Sequence, residues 1–127
     1  MFDTGYSAYQ NTAVEGKAAG ADVQQLVLML FDGFLEELER TVGHINGRRF
    51  ERKANSVEKM LRILGGLEAS LDLDKGGELA ANMARLYDHC GQQVLQASLR
   101  NTIEPLDNVR TVMTNLQQGW KGIGSQA

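Results

Sequence analysis

The sequence is poor in the residues that most often carry covalent structure or catalysis. Its 127 residues include one cysteine, Cys90, and two histidines, His44 and His89. A single thiol cannot form an internal disulfide, which fits a reducing compartment. Two histidines without a Glu-x-x-His pair cannot furnish the ligand set of a di-metal helical bundle. There is one proline, Pro105, so little in the chain forbids helix. No apolar run approaches the roughly 20 residues that span a bilayer as a helix. The start, Met1-Phe-Asp-Thr-Gly, has neither the basic nor the apolar region of a secretory signal. Basic excess is missing too. The net charge is −3, which argues against nucleic acid as a partner. The expectation is a cytoplasmic protein with one core and no membrane span.

Glycine is abundant, with 14 residues. Gly33, Gly65, Gly66 and Gly91 fall inside expected helices, where each costs on the order of 1 kcal/mol against alanine. Missing side chains let backbones approach closely. The first reading is tight helix–helix packing; the second is a shallow trough for a partner chain.

The rest of the chain is organised around the stretch from Val23 to Leu35. Val23, Leu26, Val27, Leu30, Phe34 and Leu38 share one helical face. Leu28, Met29 and Leu35 lie off that stripe, so the helix is apolar nearly all round and must be covered. Asp22 and Gln25 form a capping-box pattern that starts this helix, with an exit over Gly43–Gly47. A second helix follows from about Arg49 to Leu71, with Phe50, Ala54, Val57, Leu61, Leu64 and Leu71 on its stripe. A turn at 72–77 leads to a third, from about Gly76 to Arg100, with Leu79, Met83, Leu86, Cys90, Val94 and Ala97 inward. A fourth starts near Thr102, tolerates Pro105 in its first turn, and carries Leu106, Val109, Met113, Leu116 and Trp120. The expected fold is all-α: an antiparallel up-down four-helix bundle over residues 22–120. Residues 1–21 form a flexible N-terminal arm, and 121–127 a disordered tail. Leu30-Phe-Asp-Gly33 and Leu86-Tyr-Asp-His89, 56 residues apart, suggest that the two hairpins are pseudo-equivalent.

No catalytic constellation stands out. Asp88-His89-Cys90 are consecutive on a helix, about 100° apart, and do not converge on one ion. Asp72-Leu-Asp-Lys-Gly-Gly opens like a calcium loop but has Met83 where the bidentate glutamate belongs. The densest positive run, Arg48-Arg49-Phe50-Glu51-Arg52-Lys53, reads as a solvated helix start before it reads as an anion surface. What remains is apolar surface suited to a peptide: Leu28, Met29, Leu35, the arm residues Tyr6 and Tyr9, and Tyr87.

These residues resemble the FliS family of flagellar secretion chaperones. The likeness is carried by Tyr6, the run Leu26-Val-Leu-Met-Leu-Phe-Asp-Gly33, the turn Leu71-Asp-Leu-Asp-Lys-Gly-Gly-Glu-Leu79, Asn82, Leu86-Tyr-Asp88, and Leu116 with Trp120. It covers nearly the whole chain. Phe31 departs from it, standing where the family often has tyrosine, and so does the stretch 14–21. The resemblance implies a non-enzymatic export chaperone without cofactor or metal. Its client would be the disordered C-terminal segment of flagellin, kept from premature polymerisation and delivered to the flagellar type III export apparatus. Partner-binding residues are then expected at Tyr6, Tyr9, Leu28, Met29, Phe31, Asp32, Leu35 and Tyr87. Tyr6 and Tyr9 would cover the Leu28/Met29 side until flagellin displaces them. Asp32 and Asp88 would hold the arm or a neighbouring helix by hydrogen bonds. The alternative is a structural or assembly bundle that buries this surface by self-association, as a homodimer.

Overall fold

In the computed structural model, residues 22–71 and 73–126 are described. They form four helices: α1 (Val23–Asn46), α2 (Phe50–Ala69), α3 (Leu73–Arg100) and α4 (Glu104–Gln126). Each helix touches two others: α1 meets α2 and α4, and α3 meets the same two. The diagonal pairs do not meet among the described residues. Cross-helix partners fix the direction. Thr41 meets Met60 on α2, Lys53 reaches Asn101 past the end of α3, and Glu39 and Asp32 reach Arg110 and Gln117 on α4. Late residues of one helix meet early residues of its neighbour, so the bundle is up-down-up-down, as the short connections require.

α1 starts where the sequence places it. The Gln25 amide donates to Asp22 Oδ1 at 2.8 Å, and the Asp22 amide donates to Gln25 Oε1 at 3.3 Å, a complete capping box. The helix runs three residues past Gly43, so His44 lies in its last turn rather than in a loop. α3 is helical from Leu73 but breaks at Gly77, whose φ of 56° and ψ of −133° only glycine adopts without strain. α4 continues through residues 121–126, where a tail was expected.

The core is one cluster that draws on all four helices. Phe31, Phe34 and Leu38 from α1, Met60 and Leu67 from α2, Cys90 and Val94 from α3, and Leu106, Val109 and Met113 from α4 have no exposed surface. The stripe on α3 is rotated from the expected one. Tyr87 is buried, while Leu79 and Leu86 are exposed. On α2, Ala54 is exposed and Met60, Ile63 and Leu67 face inward instead. Two of the buried polar side chains, Thr41 and Lys53, enter this core with clear partners. The Thr41 hydroxyl donates to the Glu37 carbonyl one turn earlier, at 2.8 Å. Lys53, 8% exposed, donates from Nζ to the Ser98 carbonyl and to Asn101 Oδ1, both at 2.9 Å. It thereby caps the C-terminal end of α3, where carbonyls lack helical partners and favour a cation.

The glycines correct the packing reading at two positions. A Cβ added at Gly65 would meet nothing within 4 Å, and one at Gly91 would only touch Leu64 and Leu61 at 3.7 and 3.8 Å. Neither helix contact depends on a missing side chain. Gly65→Ala and Gly91→Ala should therefore each stabilise the protein by about 0.5–1 kcal/mol in urea unfolding; a loss would restore the packing reading. Lys53→Met should cost about 1–3 kcal/mol in the same measurement, because two carbonyl acceptors lose a charged donor.

Candidate interaction surface

Seven of the eight residues expected to meet a partner divide into three groups, and the eighth, Asp32, is exposed on α1. Phe31 and Tyr87, at 0% and 2% exposure, belong to the core and offer no surface. Leu28, Met29 and Leu35 are half-buried, and Leu35 packs against the core cluster. Tyr6 and Tyr9 lie outside the described residues.

Two of the half-buried residues, Leu28 and Leu35, have an internal explanation. Leu28, Asp32, Leu35 and Glu39 follow three–four spacing along α1, so they form one strip. Asp32 accepts a 2.6 Å hydrogen bond from Gln117 Nε2 on α4. Glu39 takes a two-pronged contact from Arg110, with Nε at 2.6 Å and Nη2 at 3.1 Å. The strip is thus the α1–α4 seam. The Gln24 side-chain amide also donates to the Trp120 carbonyl across it. α1 is apolar on two sides chiefly because two helices cover it.

Asp88 behaves in the same way on α3. It lies against Glu68 of α2, and burial together with this second carboxylate pushes the Glu68 pKa up. Each aromatic–Asp pair therefore puts its aromatic in the core and its carboxylate across a seam, from α1 to α4 and from α3 to α2. The internal repeat has this structural content. Asp32 thus holds a neighbouring helix by a hydrogen bond, as expected, whereas Asp88 reaches α2 only to face a second carboxyl.

Val23 at the start of α1 and Phe50 at the start of α2, both expected on inward stripes, are 69% and 37% exposed. The other exposed large apolar side chains among the described residues lie on α3. Leu79 and Leu99 are 69% and 81% exposed, and Leu86 and Leu95 are 37% and 45% exposed. Leu95 and Leu99 continue the strip of Asp88 and Gly91, which meets α2. Leu79 and Leu86 lie on the opposite side of the same helix, about 180° away at 100° per residue. Sequence periodicity assigned Leu79 and Leu86 to the core. Leu95 and Leu99 carried a readable signal, since they stand among Gln92, Gln93, Gln96 and Arg100, off the apolar stripe.

Nothing reactive converges on this surface. Burial pushes the Cys90 thiol up to about 11, so it stays an un-ionised apolar group. Among the described residues no three His, Cys, Asp or Glu side chains gather as a metal site, and no helix is long and apolar enough to cross a membrane.

The family model described as flagellar protein FliS matches residues 5–127. The chain belongs to the FliS family. Among its relatives is the flagellar secretion chaperone FliS of Salmonella typhimurium, 35% identical over 98% of this chain and 93% of that protein. The flagellar secretion chaperone FliS of Escherichia coli is 36% identical over 92% of this chain and 87% of its own length. That of Bacillus subtilis is 29% identical over 91% of this chain and 83% of the relative. FliS proteins are chaperones, not enzymes, in line with the missing catalytic constellation.

In this FliS chain Tyr87 is the polar contact that ties the end of α4 to α3. The Trp120 indole donates to its hydroxyl, while burial pushes its pKa up from 10.0 to about 12. The un-ionised phenol is favoured in the fold. Its contribution to stability is complete below about 10 and is lost as pH rises from there to about 12. Tyr87→Phe should cost about 1 kcal/mol, flatten this alkaline loss, and alter the Trp120 fluorescence. Unchanged values would place the hydroxyl outside the network.

Proposed function

We propose that the protein is a cytoplasmic export chaperone for flagellin. In this proposal it holds the disordered C-terminal segment of flagellin, blocks premature polymerisation and presents the complex to the flagellar type III export apparatus. The observation that supports this reading is the set of four exposed leucines on both flanks of α3, in a bundle whose core is otherwise closed. A monomeric bundle gains nothing from such groups in water, and a disordered apolar segment needs a preformed apolar surface to fold against. Membership of the FliS family, whose relatives are flagellar secretion chaperones, supports the same reading.

The footprint proposed is α3 first, with Leu28, Met29 and Leu35 at its margin on the α1–α4 side. Tyr6 and Tyr9 of the first 21 residues would compete with the client for that margin. Phe31 and Tyr87 would support the surface from within rather than touch the client, and the exposed Asp32 would border it at the α1–α4 seam.

Size-exclusion chromatography with light scattering, with and without a flagellin C-terminal peptide, is the direct test. A 1:1 complex is the expected result. Leu95→Asp with Leu99→Asp should weaken peptide binding by at least about tenfold, since burying each leucine contributes on the order of 1.5–3 kcal/mol. The same pair should leave the thermal melt unchanged, because neither residue is in the core. A permanent dimer indifferent to the peptide would favour self-association through these leucines instead. Deleting residues 1–15 should raise peptide affinity if the arm competes; an unchanged affinity would remove the arm from the mechanism.

A further inference from the structure

The turn between α1 and α2 carries an arrangement that neither the bundle nor client binding requires. Arg49, the residue before α2, folds its side chain back over the end of α1. Its Nε donates to His44 Nδ1 at 3.1 Å, and its Nη2 donates to the Gly43 carbonyl at 2.9 Å. The backbone follows the same path, with the Arg49 amide donating to the His44 carbonyl at 2.8 Å. A Cβ at Gly47 would collide with the Arg49 guanidinium, so the missing side chain there makes room for it. Arg48 sits between them at φ 58°, in the left-handed region that a non-glycine residue seldom occupies.

We propose that this turn is a proton-sensitive latch, closed when neutral His44 accepts from Arg49 and released when His44 takes up a proton. The reason is the donor inventory. A guanidinium only donates, so Nδ1 must carry a lone pair for the bond to exist. The imidazolium carries N–H groups at both nitrogens and has nothing to accept with. Repulsion adds to the loss of the bond. The ring lies among Arg40 of α1 and Arg49 and Arg52 of the turn and α2, with Glu37 of α1 as the opposing charge. Glu37 is already taken by Arg40 at 2.5 Å, and its other oxygen is buried without a partner. α4, the other helix packed on α1, offers Glu104 and Asp107 at this level of the bundle. They lie on its own flank of α1, and Asp107 is held by Arg110 at 2.8 Å.

Partial burial first, and then these arginines, hold the His44 pKa below its ordinary 6.5. The latch is therefore fully closed above about 6.5 and opens as pH falls through the lowered value. The bundle core contains no part of it, so opening frees the Arg49 guanidinium and loosens residues 47–49 while the four helices stay packed.

The test is heteronuclear NMR of His44 in the intact protein. The expected state at neutral pH is the Nε2–H tautomer with Nδ1 as acceptor, and a pKa below 6.5. Amide protection at Arg48 and Arg49 should fall several-fold across that titration. Arg49→Met should move the His44 pKa up toward 6.5. Gly47→Ala keeps every charge but blocks the fold-back, and should move it in the same direction. An Nδ1–H tautomer would overturn the latch without any variant. So would a shift with Arg49→Met alone, since that would mark a long-range charge effect rather than a made bond.

Discussion

The constraint on which the structure depends is that α1 cannot be covered from one side. Its apolar residues wrap around the helix from Leu26 to Phe31, and one neighbour shields only one flank. α2 follows it in sequence and covers the flank of Leu30 and Thr41. The other flank has to wait for α4, the last helix to be made. The ring closes there, at the seam of Gln24 with Trp120, Asp32 with Gln117 and Glu39 with Arg110. These polar contacts set the register of a seam whose area is supplied by Leu28, Leu35 and Leu116. The two-pronged Arg110–Glu39 pair is half-exposed, at 35% and 57% of side-chain surface. It therefore adds little energy, about 0–1 kcal/mol, and acts mainly on alignment.

Once α1 and α4 satisfy each other, the apolar excess moves to α3. This shift explains what the sequence disclosed and what it hid. Helix number, order and direction were readable, because period and capping are local: Asp22 and Gln25 cap α1 as their spacing requires. Core positions deep in the helices were readable for the same reason, as Val57, Leu64, Val94 and Met113 illustrate. The site was harder. Phe31 and Leu28 are equally apolar and three residues apart, and only the position of α4 decides which is sealed fully and which forms a seam. Tyr87 looks amphipathic in print and is buried because Trp120 meets its hydroxyl. Leu79 fits the α3 stripe but sits just past the break at Gly77, near the end of the bundle, where no helix covers it. Such facts depend on neighbours from 33 to more than 80 residues away.

The repeat shows the same logic from the other side. Asp32 and Asp88 follow aromatics that point inward, and each crosses to the helix that closes its own hairpin against the other. The partners differ: an amide on α4 and a carboxyl on α2. The first contact is a hydrogen bond with no charge opposing it. The second places two carboxyl groups together and raises the Glu68 pKa. The α1–α4 seam thus has polar ties at several levels, whereas the α2–α3 seam is tied at the Lys53 end and sets the carboxyls of Glu68 and Asp88 together at another level.

Magnitudes then bear on how a client would have to sit. Full burial of a leucine contributes about 1.5–3 kcal/mol. Scaled by their exposures of 69, 37, 45 and 81%, the four leucines of α3 together offer roughly 3–7 kcal/mol. Ordering a disordered segment costs about 2–5 kcal/mol or more, and association costs a further 4–15 or so. The α3 leucines alone do not hold such a segment. Because Leu79 and Leu86 lie on one flank of α3 and Leu95 and Leu99 on the other, a single straight helix cannot cover both pairs. A client that uses all four must cross α3 and continue around the bundle, toward α4 and the half-buried Leu28 and Leu35. That path gathers the further apolar area the balance requires.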